Sequence, residues 1–185
     1  MKRMLGLLLV GAAISGCSST EEVAKAECAF PDKSVAPSWY CDKSVETEQP
    51  HYFYIGSSSA QADQATKERL AVSNATVKLS QEIDSSITSL ITEREKINSS
   101  AGMSVSKKLV EISNTLMTDT KLTGVRHYES ALDESGQLWV LVGISRGDYF
   151  DIRQRVIAES LDTLESESLT SAEQNEVSSL KSLLN

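Results

Sequence analysis

Between residues 60 and 97 the chain contains neither proline nor glycine, and Val72, Thr76, Leu79, Ile83, Ile87, Leu90 and Ile97 recur there largely at three- and four-residue steps. That period keeps an apolar stripe on one face of an α-helix. Unbroken, such a helix is about 50 Å long and dictates the architecture around it. Ala60, Ala62, Ala65, Ala71 and Ala75 thin its first half, which suits close packing against a sheet. The second half carries larger aliphatics and the run Glu93-Arg94-Glu95-Lys96, read as a solvated face. Asn98 to Gly102 ends it.

The flanking segments supply strands. His51-Tyr52-Phe53-Tyr54-Ile55 is aromatic and β-branched, and Gly56 stops it. Ser57, Ser58 and Ser59 then offer N-caps for the long helix. Their hydroxyls and the helix-start amides form a candidate anion site. Met103 to Thr120 has helical spacing through Leu109, Ile112 and Leu116. Leu122 to Leu132 reads as a strand around Val125, His127 and Tyr128, and Asp133 to Gly136 as a turn. Gln137 to Ser145 is apolar on both faces, which predicts a central strand covered on both sides.

Gly147-Asp148 opens another helix, with Tyr149, Ile152, Val156 and Leu161 as its stripe. Thr170-Ser171-Ala172-Glu173 is a capping-box pattern ahead of Val177, Leu180 and Leu184. The expected fold is α+β: an antiparallel or mixed sheet of about three strands, packed by the long helix, with further helices toward the C-terminus. Ile55, Leu79, Val125, Val140, Val142 and Ile152 are the expected core. Residues 28–165 form the expected single domain, followed at 166–185 by an acidic, serine-rich tail with a short terminal helix.

The N-terminus carries different information. Met1-Lys2-Arg3 is basic and Met4 to Ile14 is apolar, a run too short to span a ~30 Å hydrocarbon core. This is the pattern of a signal peptide over residues 1–16. Ile14-Ser15-Gly16-Cys17 has the form of a bacterial lipobox, which makes Cys17 the expected lipidation site and residues 17–27 a tether. Acyl chains there contribute ~0.8 kcal/mol per buried methylene, enough for two or three chains to anchor a protein stably. Ser18 stands where aspartate would favour inner-membrane retention, so the outer membrane is the expected location.

Loss of Lys2 and Arg3 with the signal takes the formal charge from −8 to −10. An acidic chain with no basic block is poorly suited to nucleic acid or to anionic lipid headgroups. Once Cys17 carries lipid, Cys28 and Cys41 remain, an even pair with no metal-ligand spacing. They are read as a disulfide ordering a segment that holds Pro31, Pro37 and Trp39.

Enzyme chemistry has one candidate. Gly143-Ile144-Ser145-Arg146-Gly147 matches the nucleophile-elbow pattern at a strand-to-helix junction. Both histidines, His51 and His127, precede Ser145, against the serine, acid, histidine order of that fold, and no oxyanion loop is evident. The glycines are better read as serving the turn. No catalytic residue, metal site or cofactor is expected.

Ala36-Pro37-Ser38-Trp39, then Tyr54-Ile55-Gly56-Ser57 running into an alanine-spaced helix, then Leu138-Trp139-Val140-Leu141-Val142 form a recognisable succession. Over roughly Pro37 to Ile144 the chain resembles the LPP-twenty family of bacterial surface lipoproteins. The resemblance implies an outer-membrane lipoprotein without catalytic residues, and some relatives are flagellar outer-membrane ring components. Cys28, Cys41 and the acidic C-terminal extension are not part of the family pattern. The expectation is a non-enzymatic envelope module that binds other envelope proteins or itself. A flagellar ring subunit and an envelope ligand-binding module are the alternatives.

Overall fold

A computed structural model describes residues 28–59, 61–97 and 103–184. The elements run α1 (Ser38–Asp42), β1 (His51–Ser57), α2 (Gln64–Ile97), α3 (Met103–Asp119), β2 (Arg126–Leu132), β3 (Leu138–Ser145), α4 (Arg146–Glu165) and α5 (Ser171–Leu184). The fold is α+β, with a three-stranded antiparallel sheet ordered β1-β3-β2. β3 is the central strand, and Leu138, Val140, Leu141, Val142 and Ile144 are all buried. Burial on both faces follows from its apolar character on both faces.

Helix α2 begins at Gln64, later than residue 60, because Asp63 caps it. The Thr66 amide donates to the Asp63 carboxylate at 3.0 Å and the Lys67 amide to the Asp63 carbonyl at 2.9 Å. The hydroxyl and amide of Thr66 hold the Asp63 carboxyl below its ordinary range. From there α2 folds back along β1. A Cβ on Gly56 would overlap the Ala71 carbonyl oxygen, and it would lie 2.6 Å from the Ala75 nitrogen and 2.9 Å from the Ala75 methyl. Backbone therefore meets backbone, and Ala71 and Ala75 are fully buried with Leu138, Val140 and Val142. Asn74 Nδ2 donates to the Ser57 carbonyl at 2.7 Å and Lys78 Nζ to the Ile55 carbonyl at 2.6 Å, so α2 also covers part of the β1 edge.

A seven-residue strand such as β1 is about 24 Å long, roughly half the length of α2. The second half of the helix overhangs the sheet and needs other partners. Ile83, Ile87 and Ile91 find them in Val105, Leu109 and Met117 of α3, Ile152, Val156, Leu161 and Leu164 of α4, and Val177 and Leu180 of α5. The core is thus a small-residue layer under the sheet that continues into a helical layer of large aliphatics. Of the expected core residues, Leu79, Val140, Val142 and Ile152 are buried. Ile55 and Val125 are only half-buried, Ile55 because it lies on the sheet face opposite α2.

The C-terminal segment differs most from expectation. α5 is part of the packed domain, since Val177 and Leu180 are each about 1% exposed within the main core. Its capping box is closed on both sides: the Glu173 amide donates to the Thr170 hydroxyl at 3.3 Å, and the Thr170 amide donates to the Glu173 carboxylate at 2.9 Å. Lys108 of α3 approaches the same carboxylate at 3.3 Å. The Thr170 amide and hydroxyl, then Lys108, pull the Glu173 carboxyl from its ordinary 4.5 down to about 2.

A carboxyl depressed on folding adds stability that is complete above its unfolded pKa and is lost as pH falls through the folded value. We therefore expect the α5 cap to weaken between pH 4.5 and about 2. A carbon-detected NMR titration should place the Glu173 midpoint near the lower limit in the native chain and raise it only in part in Thr170→Ala, which removes the hydroxyl but keeps the backbone amide and Lys108. An unshifted midpoint in the native chain would contradict the capping geometry.

Candidate functional site

Cys17, the expected signal segment 1–16, the expected tether 17–27 and Ala60 lie outside the described residues. Cys28 and Cys41 are joined by a disulfide, with their Cα atoms 5.9 Å apart. The bridge closes a segment consisting of a small hairpin, with Ala29 facing Val35, followed by α1. At its tip Asp32 accepts from the Ser34 hydroxyl at 2.6 Å and from the Ser135 amide of the β2–β3 turn at 3.1 Å. Phe30 stacks on Trp139 with centroids 5.8 Å apart, and Tyr40 meets the same indole edge-on at 5.2 Å. The indole N–H donates to Asp133 at 3.0 Å. A stretch with almost no regular structure is thereby fixed by one cross-link and one aromatic cluster on the face of β3 opposite α2.

Ser57, Ser58 and Ser59 do not meet the helix start. Ser57 is the last residue of β1, Ser58 is buried with its amide donating to the Leu138 carbonyl at 2.9 Å, and the Ser59 hydroxyl accepts from the Gln61 amide at 3.3 Å. The first turn of α2 is served by the Asp63 carboxylate, whose negative charge disfavours an anion there.

At the elbow-like sequence each position has a separate structural part. A Cβ on Gly143 would come within 2.8 Å of the rings of both Phe53 and Tyr128, so the glycine makes room for these aromatics over the sheet. A bulge between His127 and Glu129 accompanies this placement of Tyr128 beside Gly143. Ser145 is the N-cap of α4: its hydroxyl accepts from the Asp148 amide at 3.0 Å and donates to the Asp148 carboxylate at 2.7 Å. Gly147 has ordinary space for a side chain. His51 stands opposite Ser145 in the β1–β3 register. Its Nδ1–H donates to the Gln49 carbonyl at 2.6 Å, since a carbonyl can only accept, and its Nε2 then accepts from the Tyr128 hydroxyl at 2.9 Å. Serine, histidine and aspartate thus meet in one place, but the serine is bonded to the aspartate and both ring nitrogens are occupied elsewhere.

These residues line a polar cleft of about 490 Å³, together with Glu46, Glu48, Gly124 and Arg126. Gly124 has φ 83°, and a Cβ there would lie 2.5 Å from an Asp148 carboxylate oxygen, so the loop before β2 closes tightly on the α4 cap. Sequence reading missed this cleft. Its walls come from three separate segments, 46–51, 124–128 and 145–148, which the strand register brings together. Among the described residues no group of three or more histidines, cysteines or acids could hold a metal ion, and no helix is long and apolar enough to cross a membrane.

Two outcomes follow from these contacts. Cys28→Ser should lower unfolding stability by about 3 kcal/mol in denaturant titrations, with reduction of the native chain giving the same loss. Ser145→Ala should cost about 1 kcal/mol, the usual value of an N-cap hydroxyl, while Ser145→Thr, which keeps a hydroxyl able to donate to Asp148 as well as accept from it, recovers most of it. No family model, no curated protein and no solved structure matches the chain.

Proposed function

We propose that the protein is an outer-membrane lipoprotein anchored by an acylated Cys17, whose α+β domain serves as a non-enzymatic interaction module of the cell envelope. The observation that carries this reading is Ile14-Ser15-Gly16-Cys17 directly after a basic start and a short apolar run. The Cys28–Cys41 disulfide supports it, because such bonds persist in oxidising compartments. The acidic composition supports it as well: a chain with this charge has no electrostatic means of holding an anionic bilayer, so membrane attachment falls to the lipid. Engagement of Ser145 in a helix cap favours an interaction role over hydrolysis. The resemblance to LPP-twenty lipoproteins agrees with this reading, and it makes a flagellar outer-membrane ring subunit the second possibility to test.

Metabolic labelling with an alkyne-bearing palmitate should mark the native chain in a Gram-negative host and fail to mark Cys17→Ala. The native chain should fractionate with the outer membrane. In-cell crosslinking should recover an envelope partner or a second copy. Labelling that persists in Cys17→Ala, or only uncrosslinked monomer at native abundance, would overturn the reading, and normal motility with intact basal bodies after gene deletion would remove the flagellar version.

A further inference from the structure

The cleft where the end of β1 meets β2 and the start of α4 is ringed by charges of both signs. Arg126 stands on β2, and Glu46 and Glu48 on the segment leading into β1. The ion pairs found among the described residues join Lys108 to Glu173 and Lys181 to Asp162 and Glu165. Arg126, Glu46 and Glu48 therefore face one cleft without pairing with each other. The third acid, Asp148, already accepts the Ser145 hydroxyl.

The surroundings of these charges are fixed. The Gln49 carbonyl accepts from the Thr47 hydroxyl at 2.7 Å and from His51 at 2.6 Å, which orders the segment bearing both glutamates. The Tyr128 hydroxyl locks His51 from the other side at 2.9 Å, and the two rings meet edge-to-face with centroids 5.6 Å apart. The Tyr128 and His51 rings thus line the same cleft as a guanidinium and two carboxylates.

We propose that this cleft binds a small zwitterionic peptide, with its carboxylate on Arg126 and its ammonium groups on Glu46 and Glu48. A guanidinium presents a planar fork that matches a carboxylate, and ionised glutamates can only accept, so they select an ammonium donor. The volume, about 490 Å³, falls within the range of small-ligand sites and exceeds the needs of a single amino acid. The alanyl-lysine dipeptide has the complementary set: two ammonium groups, one carboxylate and an aliphatic stem to lie on Tyr128 and His51. This inference does not depend on where a lipid places the chain.

Isothermal titration of the full chain in detergent micelles, disulfide intact, tests it with alanyl-lysine and with the same dipeptide N-acetylated and C-amidated. Saturable binding is expected for the free dipeptide, with affinity at least about tenfold lower for the capped one. Arg126→Ala, and separately Glu46→Gln combined with Glu48→Gln, should each weaken binding by about tenfold or more, and added salt should weaken the native interaction. All three positions are exposed, so thermal melting of the variants should match the native chain. No saturable heat with the native chain, equal affinity for the capped dipeptide, or unchanged affinity in Arg126→Ala would each overturn the proposal.

Discussion

Gly56 brings the backbone of β1 against Ala71 and Ala75 of α2 with no side chain between them, and the remaining geometry depends on that approach. It sets the height of the helix over the sheet, so Asn74 and Lys78 can reach the Ser57 and Ile55 carbonyls. It also sets the direction in which α2 leaves the sheet. Ile83, Ile87 and Ile91 then project beyond the strands, where only other helices can bury them. The change from alanine to large aliphatics along α2 records this transition from a thin layer to a thick one.

The opposite face of the sheet is covered by unlike means. Leu141 is fully buried, although α2 lies on the other side of the strand. At one end of that face the cross-linked segment lays Phe30 and Tyr40 against Trp139. Toward the other end, Phe53 and Tyr128 pack over Gly143, and His51 joins them by stacking on Phe53 at 5.7 Å. Large rings suit this face because few residues are available to cover it, and each ring removes a large area from water.

The legible parts of the sequence were those governed by local period. The long helix, the doubly apolar central strand and the Thr170–Glu173 capping box all follow from patterns within one segment, and the cysteine pair from arithmetic. The start of α2 was misread because three serines before an apolar stripe have the same composition as a cap, whereas Asp63 takes the position by its contact with Thr66. The tail was misread because Val177 and Leu180 form a short stripe among serines and acids, and only the overhang of α2 provides the surface that buries them. The length of the helix against that of a strand already implied such an overhang. The cleft had no local signal, since Glu46, Arg126 and Ser145 become neighbours only through the register of three strands.

The disulfide gains a mechanical meaning beside the proposed anchor. Cys28 follows Cys17 by eleven residues, so even a fully extended tether keeps the bridge within about 40 Å of the bilayer. On that proposal, a pull from the lipid would enter the folded body at Cys28. Without a cross-link it would act first on residues 29–40, which are held to β3 by Phe30 and Tyr40 and to the β2–β3 turn by Asp32, and would peel away in sequence. With Cys28 bonded to Cys41, the load passes across the sulfurs to the far end of α1 and reaches β1 through residues 42–50. The aromatic contacts on Trp139 are then outside the direct load path. A cross-link at this position therefore suits a domain tethered by its N-terminus, whereas the same bond near α5 would leave the exposed sheet face unprotected.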